Sequence, residues 1–213
     1  MSQSLSEALT HATGCPLHFR VTNCMGSFYL IFSLANTNQK IGDKIMLQPK
    51  IYVACLAAYN NGYLHGRWID ADNDLDVIKD EISQMLKTSP VEDAEEYAIH
   101  DYEDFGGYQL GEYEGIEHTH ELASFITEHG ELGAELLNDY DIEEAERYLQ
   151  EQYAGCYSST SEFAEQLTEE TTEIPSHLAF YIDYEKMARD MEYSGDIFTI
   201  ETAFDEIHVF WAS

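Results

Sequence analysis

Apolar residues form an unbroken run at Ile51-Tyr52-Val53-Ala54-Cys55-Leu56-Ala57-Ala58, the pattern of a strand covered on both faces. A second run, Tyr63–Ile69, follows the turn Tyr59-Asn60-Asn61-Gly62. Asn-Gly tolerates the positive φ angles of a tight turn, so the two runs are expected to pair as a hairpin. Leu75, Ile78, Ile82, Met85 and Leu86 then recur at helical spacing, predicting a helix over 75–87 with Asp72 or Asp74 as its cap and Pro90 beyond its end. Tyr97–Tyr102 predicts a third strand. Strand, strand, helix and strand make one small α+β unit, closing near Gly106-Gly107.

From 109 to 155 the period is helical. Residues 117–128 place Leu122, Phe125 and Ile126 on one side, and Gly130 and Gly133 punctuate before a short helix ending at Leu137. Asp141 and Glu144 form a capping-box pattern for a helix over 141–151, with Ile142, Ala145, Tyr148, Leu149 and Tyr153 inward and Gly155 as a left-handed end. A helix over 161–168, a helical segment opened by Pro175, and a helix capped by Asp183 with Tyr184, Met187, Ala188 and Met191 inward are expected next. Ile197–Ile200 and Ile207–Trp211 close the chain as a hairpin. The predicted fold class is α+β, in two or three small units.

The first 45 residues lack a clean period. They fit either an upstream extension before a natural start at Met46 or an N-terminal β element using Phe28–Leu34. Met25–Ala35 has the apolar character of a secretion signal, but the stretch before it is long and nearly uncharged, which argues against that role. No run approaches transmembrane length. Cys15, Cys24, Cys55 and Cys156 show no paired framework, the usage of a reducing cytoplasm.

Charge changes the picture. Residues 1–69 hold two acids and five bases, whereas residues 70–213 hold 39 acids and five bases, a net of −34. Repulsion on that scale opposes compaction. Yet 15 Tyr, 10 Phe and 44% hydrophobic residues exceed what disordered acidic tails contain, so the acidic part is expected to fold. Direct binding to nucleic acid or to anionic membranes is disfavoured, because every phosphate would be repelled. The fitting partner is a basic protein groove or a cation. A halophile-type surface would acidify the whole chain, and the near-neutral first 69 residues argue against it.

Several motifs lead nowhere chemically. Asp70–Glu81 places carboxylates as a calcium loop does, but Leu75 stands where that loop's sharp turn needs Gly, and a helix start suited to Asp accounts for the stretch. His118, His120 and His129 fit solvated histidines in an acidic field better than a zinc site. His100-Asp101 could supply a base and its orienter for Cys55 or Cys156, but no nucleophile elbow, phosphate loop or dinucleotide fingerprint supports an enzyme. No cofactor or metal is expected. The charge density is more telling. A helix over 141–151 spans roughly 15 Å and carries Asp141, Glu143, Glu144, Glu146 and Glu151. One DNA strand carries about four or five phosphates over that length, and a net of −34 equals roughly 58 Å of duplex.

Four segments carry a family resemblance. Ile51–Gly62 with Leu64-His65-Gly66-Arg67-Trp68, Ala98–Glu103, Asp141–Tyr148 (DIEEAERY) and Tyr181–Asp190 resemble ArdA-type antirestriction proteins, in the family's order from about 47 to 213. Residues 1–45 lie outside the match, which favours Met46 as the start. The resemblance implies a DNA mimic carried on plasmids and conjugative transposons. It implies an elongated homodimer of three small domains (47–108, 109–155 and 156–213), without enzymatic activity. The implied partner is the DNA-binding groove in the methyltransferase core of Type I restriction–modification enzymes. The mimic surface would then comprise Asp101, Glu103, Asp104, Glu112, Glu114, Glu117, Glu121 and Glu128. It would continue through Glu131, Glu135, Asp139, Asp141, Glu143, Glu144, Glu146 and Glu151. The family's antirestriction motif maps onto Leu167 to Asp183, through Glu169, Glu170, Glu173, Ile174 and Pro175, with Leu178, Phe180 and Tyr181 suited to the dimer contact. Ser176 and His177 depart from a more acidic version of that motif. An acidic adaptor for a basic DNA-binding protein is the alternative that the charge alone allows.

Overall fold

The computed structural model describes residues 47–111 and 114–212, all within a compact unit spanning Asp43–Ser213. The expectations placed on residues 1–45, including the segments 25–35 and 28–34, fall outside the described residues, as does Glu112. The described chain is mixed α+β, with six α-helices and two three-stranded antiparallel sheets.

The first sheet has the order β2-β1-β3, from β1 (Lys50–Cys55), β2 (Gly66–Asp70) and β3 (Tyr97–Glu103). The central strand β1 is buried where the apolar run predicts, at Ile51, Val53, Ala54 and Cys55. The run does not continue as strand, however. Leu56–Asn60 form a short helix, α1, whose first turn is capped by the Cys55 sulfur accepting from the Ala58 N–H at 3.4 Å. Leu-Ala-Ala is strong helix-forming sequence, and local propensity wins once the strand has passed beyond its partners. The pairing of β1 with β2 is as expected, but the loop is wider than a two-residue turn: Tyr63 N–H reaches back to the Ala58 carbonyl.

Helix α2 (Leu75–Lys87) has the predicted bounds and buries Ile78, Ile82 and Met85. Asp74 stands at its N-cap without a side-chain cap bond, and the calcium-loop look-alike is the end of β2 followed by this helix start. Helix α3 (Ile116–Asp139) buries Leu122, Phe125, Ile126, Leu136 and Leu137. It bends at Gly130, whose φ of 68° and ψ of −147° are open to glycine but costly for other residues. Helix α4 (Ile142–Arg147) is capped by Asp141, which accepts from the Glu144 N–H at 2.8 Å. The reciprocal half of the capping box is replaced: the Glu144 carboxylate lies 3.8 Å from Arg147.

The helix predicted over 141–151 changes character midway. Residues Tyr148–Gln152 form a wide π turn that delivers the chain into β4 (Tyr153–Tyr157). Tyr153 is therefore a strand residue rather than part of a helical face. Gly155 is not a helix end but the site of a bulge in β4, with φ 143°. Helix α5 (Thr160–Thr171) follows, capped by Ser159, which accepts from Glu162 N–H at 3.1 Å. Beyond Pro175 the predicted helical segment shrinks to one 3-10 turn, Ala179–Tyr181. Helix α6 (Tyr184–Ser194) is capped by Asp183 as expected. Strands β5 (Ile197–Ala203) and β6 (Glu206–Trp211) form the predicted hairpin, and β4 completes the sheet in the order β4-β6-β5.

This second sheet packs on both faces. Phe163, Ile197 and Val209 form a small core with Leu167 and Met191 from α5 and α6. On the other face Phe198 and Phe210 stack with ring centroids 4.9 Å apart, and Tyr148 meets Phe198 edge-on at 5.2 Å. Tyr140, at the end of α3, lies 4.6 Å from Tyr148. Through these rings Phe210 joins the larger core that runs from β1 and α2 to α3 and α4. Cutting Phe210 to Ala should cost about 3–5 kcal/mol, and Asp141→Ala about 1 kcal/mol, both read from urea unfolding midpoints.

Glu162 supplies a pH-dependent contribution. Its carboxylate accepts from the Ser158 hydroxyl at 2.6 Å and the Ser158 N–H at 2.7 Å, and these bonds hold its pKa below the ordinary 4.5. A depressed folded pKa stabilises above the unfolded value and ceases to do so as pH falls through the folded one. Glu162→Gln should therefore lower the melting temperature at pH 7, and the gap to wild type should close in acid.

Candidate functional site

None of the described carboxylates is buried; Thr119 and His208 alone represent the polar residues in the buried set. Of the acids assigned to the mimic surface, Asp101, Glu103, Asp104, Glu117, Glu121, Glu128, Glu131, Glu135 and Asp139 are exposed. So are Asp141, Glu143, Glu144, Glu146 and Glu151, while Glu114 is half-buried against His118 at 3.3 Å. Asp101 and Glu103 lie in β3, and Asp104 follows it with φ 61°.

Helix α3 orders six of these groups. Before the bend, Glu117, Glu121 and Glu128 stand at intervals of four and seven residues; after it, Glu131, Glu135 and Asp139 stand at intervals of four. Both intervals return to the same side of a helix, so each half carries a carboxylate stripe opposite its buried side chains. Rows four residues apart rise about 6 Å along the axis. At that separation two carboxylates repel by roughly 0.7 kcal/mol in water. Each buried phenylalanine contributes about 1.5–3 kcal/mol, so modest cores outweigh several such pairs.

The few bases blunt this field locally. Lys79 reaches Glu117 at 2.7 Å, Arg67 reaches Glu81 at 3.4 Å, and Lys50 reaches Asp70 at 3.6 Å. The Lys79 bond lowers the pKa of Glu117 and raises that of Lys79. These pairs are exposed and individually weak. His118 sits between Glu114 and Glu121 on the surface, as the sequence suggests. His120 and His129 differ from that expectation: both are half-buried, His120 with Nδ1 3.2 Å from the Ala71 carbonyl oxygen and His129 with its ring 4.5 Å from Phe125.

The motif segment has a separate character. Leu167 is half-buried in the small core of the second sheet, and Glu169, Glu170 and Glu173 are exposed around the end of α5. Ile174 is half-buried and Pro175 exposed. Leu178 is 47% exposed, Tyr181 79% and Phe180 91%, with the two aromatic rings 5.8 Å apart. Asp183 accepts from Lys186 N–H at 3.0 Å and so is occupied in capping.

The sequence matches the family described as Antirestriction protein (ArdA) over residues 51–206. This chain belongs to the ArdA family. No curated protein matches it. ArdA proteins are inhibitors rather than enzymes and act against Type I restriction systems. The match begins in β1 and ends at the first residue of β6, so it takes in all six α-helices and the strands from β1 to β5, while Ile207–Trp211 of β6 lie beyond it. None of the described helices is long and apolar enough to cross a membrane.

One cluster escaped sequence reasoning. Cys156, Glu206 and His208 bring donor atoms within 4.8 Å of one another at the end of the second sheet. Residues so far apart in the chain leave no spacing signal, and the bulge that aligns them has only Gly155 as its trace.

Because the exposed acids repel in the folded state, raising sodium chloride from about 0.05 to 0.5 M should screen them. The melting temperature in scanning calorimetry should rise over that range.

Proposed function

We propose that this ArdA protein presents its carboxylates in place of DNA phosphates and occupies the DNA-binding groove in the methyltransferase core of Type I restriction–modification enzymes. Incoming mobile DNA is thereby spared. The observation that carries this reading is the pair of carboxylate stripes on α3, continued by Asp141, Glu143, Glu144 and Glu146 around α4, in a chain of this family. Lysines and arginines that serve phosphates would meet carboxylates instead, and long-range attraction would steer the encounter. No bond is made or broken; inhibition is competitive.

The same reading takes 47–108, 109–155 and 156–213 as three successive domains of an elongated homodimer in the cytoplasm. Phe180 and Tyr181 support the dimer part, since adjacent aromatics this exposed gain by covering one another's surface across a two-fold axis. Changing both to Asp should convert dimer to monomer in light scattering while the circular dichroism stays the same. A mass unaffected by the double change would place the dimer contact elsewhere.

Phage plating on a Type I-proficient strain, with and without the protein, tests inhibition directly; unchanged plating would refute it. Binding to the purified enzyme separates mimicry from a specific site. Each single change among Asp141→Asn, Glu143→Gln, Glu144→Gln and Glu146→Gln should weaken binding by less than about fivefold. All four together should weaken it by about tenfold or more. Asn still caps a helix, so α4 is expected to survive the changes. Duplex DNA should compete, and affinity should fall as salt rises. Binding that ignores duplex DNA would point instead to an acidic adaptor for a basic protein.

A further inference from the structure

The end of the second sheet carries a side-chain group that lies outside both the proposed mimic surface and the motif segment. His208 in β6 is only 8% exposed. Its Nδ1 lies 2.8 Å from the Tyr153 hydroxyl, and its Nε2 lies 3.2 Å from the Thr202 hydroxyl and 3.8 Å from the Glu206 carboxylate. Cys156 stands directly opposite His208 in the β4–β6 register. Glu206 lies two residues before His208 and so projects from the same face of β6.

Two irregularities assemble the group. The bulge in β4 between Tyr153 and Gly155 shifts the strand by one residue and sets Cys156 beside His208. A second irregularity, between Glu201 and Ala203 in β5, lies at Thr202, whose hydroxyl meets the same imidazole. Bulges re-aim side chains, and here both converge on one ring.

We propose that Cys156, Glu206 and His208 form a three-ligand site for zinc. Thiolate, imidazole and carboxylate are the donors zinc takes, with a fourth position left for water. At zinc bond lengths of about 2.0–2.3 Å, neighbouring donors of a tetrahedral site stand about 3.5 Å apart. The donors here lie within 4.8 Å of one another, and Cys156 and Glu206 are exposed, so side-chain rotation would suffice to bring them to that spacing. The Tyr153 hydroxyl supplies the outer hydrogen bond that ligating histidines require: with Nδ1–H donated to it, Nε2 carries the lone pair, which a metal would take in place of the hydrogen bond from the Thr202 hydroxyl. Burial keeps Tyr153 protonated and neutral. Burial and the Glu206 carboxylate likewise hold the Cys156 thiol up, so metal binding releases its proton to solvent. The thiolate and imidazole distinguish this site from the carboxylate surface, which suits magnesium and calcium. A bound ion would tie the edge strand β4 to β6.

Cobalt(II) titration of the full chain in excess magnesium tests the proposal, because cobalt replaces zinc and reports a thiolate ligand by a charge-transfer band. Wild type should take up one equivalent with that band and lose it on adding zinc. Cys156→Ser should abolish the band with unchanged circular dichroism, and Glu206→Gln should weaken cobalt binding by about tenfold or more. Zinc should raise the melting temperature of wild type but not of Cys156→Ser. A wild-type titration without the band, or a band that persists in Cys156→Ser, would overturn the site; the latter would assign the thiolate to another cysteine.

Discussion

Mutual repulsion among carboxylates is the constraint to which the rest of this protein answers. Residues 70–213 carry a net of −34, and the described acids stay at the surface, where water and salt screen them. Burying even one unpaired would cost several kcal/mol. Among the described residues the acids therefore stay outside the cores, which are built from apolar and aromatic side chains, and few bases neutralise them. Stability must come from burial of area, since opposite-charge pairs are too few and too exposed to supply it.

Aromatic residues meet that demand economically. Tyr140, Tyr148, Phe198 and Phe210 connect the end of α3, the π turn and both strands of the C-terminal hairpin. Large rings bury much area per residue, and their edge-to-face and stacked contacts fix geometry as well as contribute energy. This explains how a chain with such repulsion supports a helix as long as α3. Its apolar side is held by a continuous core, and its opposite side is left for acids. The bend at Gly130 divides that acidic side into two stripes. The proposed competition with DNA calls for an array held on such a frame, because phosphates in a duplex are likewise fixed by their backbone.

Legibility in the sequence followed the range of the interactions involved. Helix α2, the Gly130 break, the Asp141 and Asp183 caps and the final hairpin depend on neighbours within a few residues, and all were readable. The strand β4 was not. Tyr148 and Tyr153 continue a helical apolar period, and only their packing against Phe198 and Phe210 diverts the chain through a π turn into a sheet. Likewise the Leu56-Ala57-Ala58 continuation of β1 became helix once pairing ended, although its apolar run looked like more strand.

The candidate surface divides in the same way. That the acids lie outside, that they crowd residues 70–213, and that the family is ArdA are all properties of composition, spacing and local motif, and the sequence alone determined them. Which acids share a stripe before and after Gly130, how far Phe180 and Tyr181 stand into solvent, and that Cys156 faces His208 were decided only by tertiary structure. Solvation is a preference each residue carries by itself. Alignment across a bend or a bulge depends on where distant segments settle against one another.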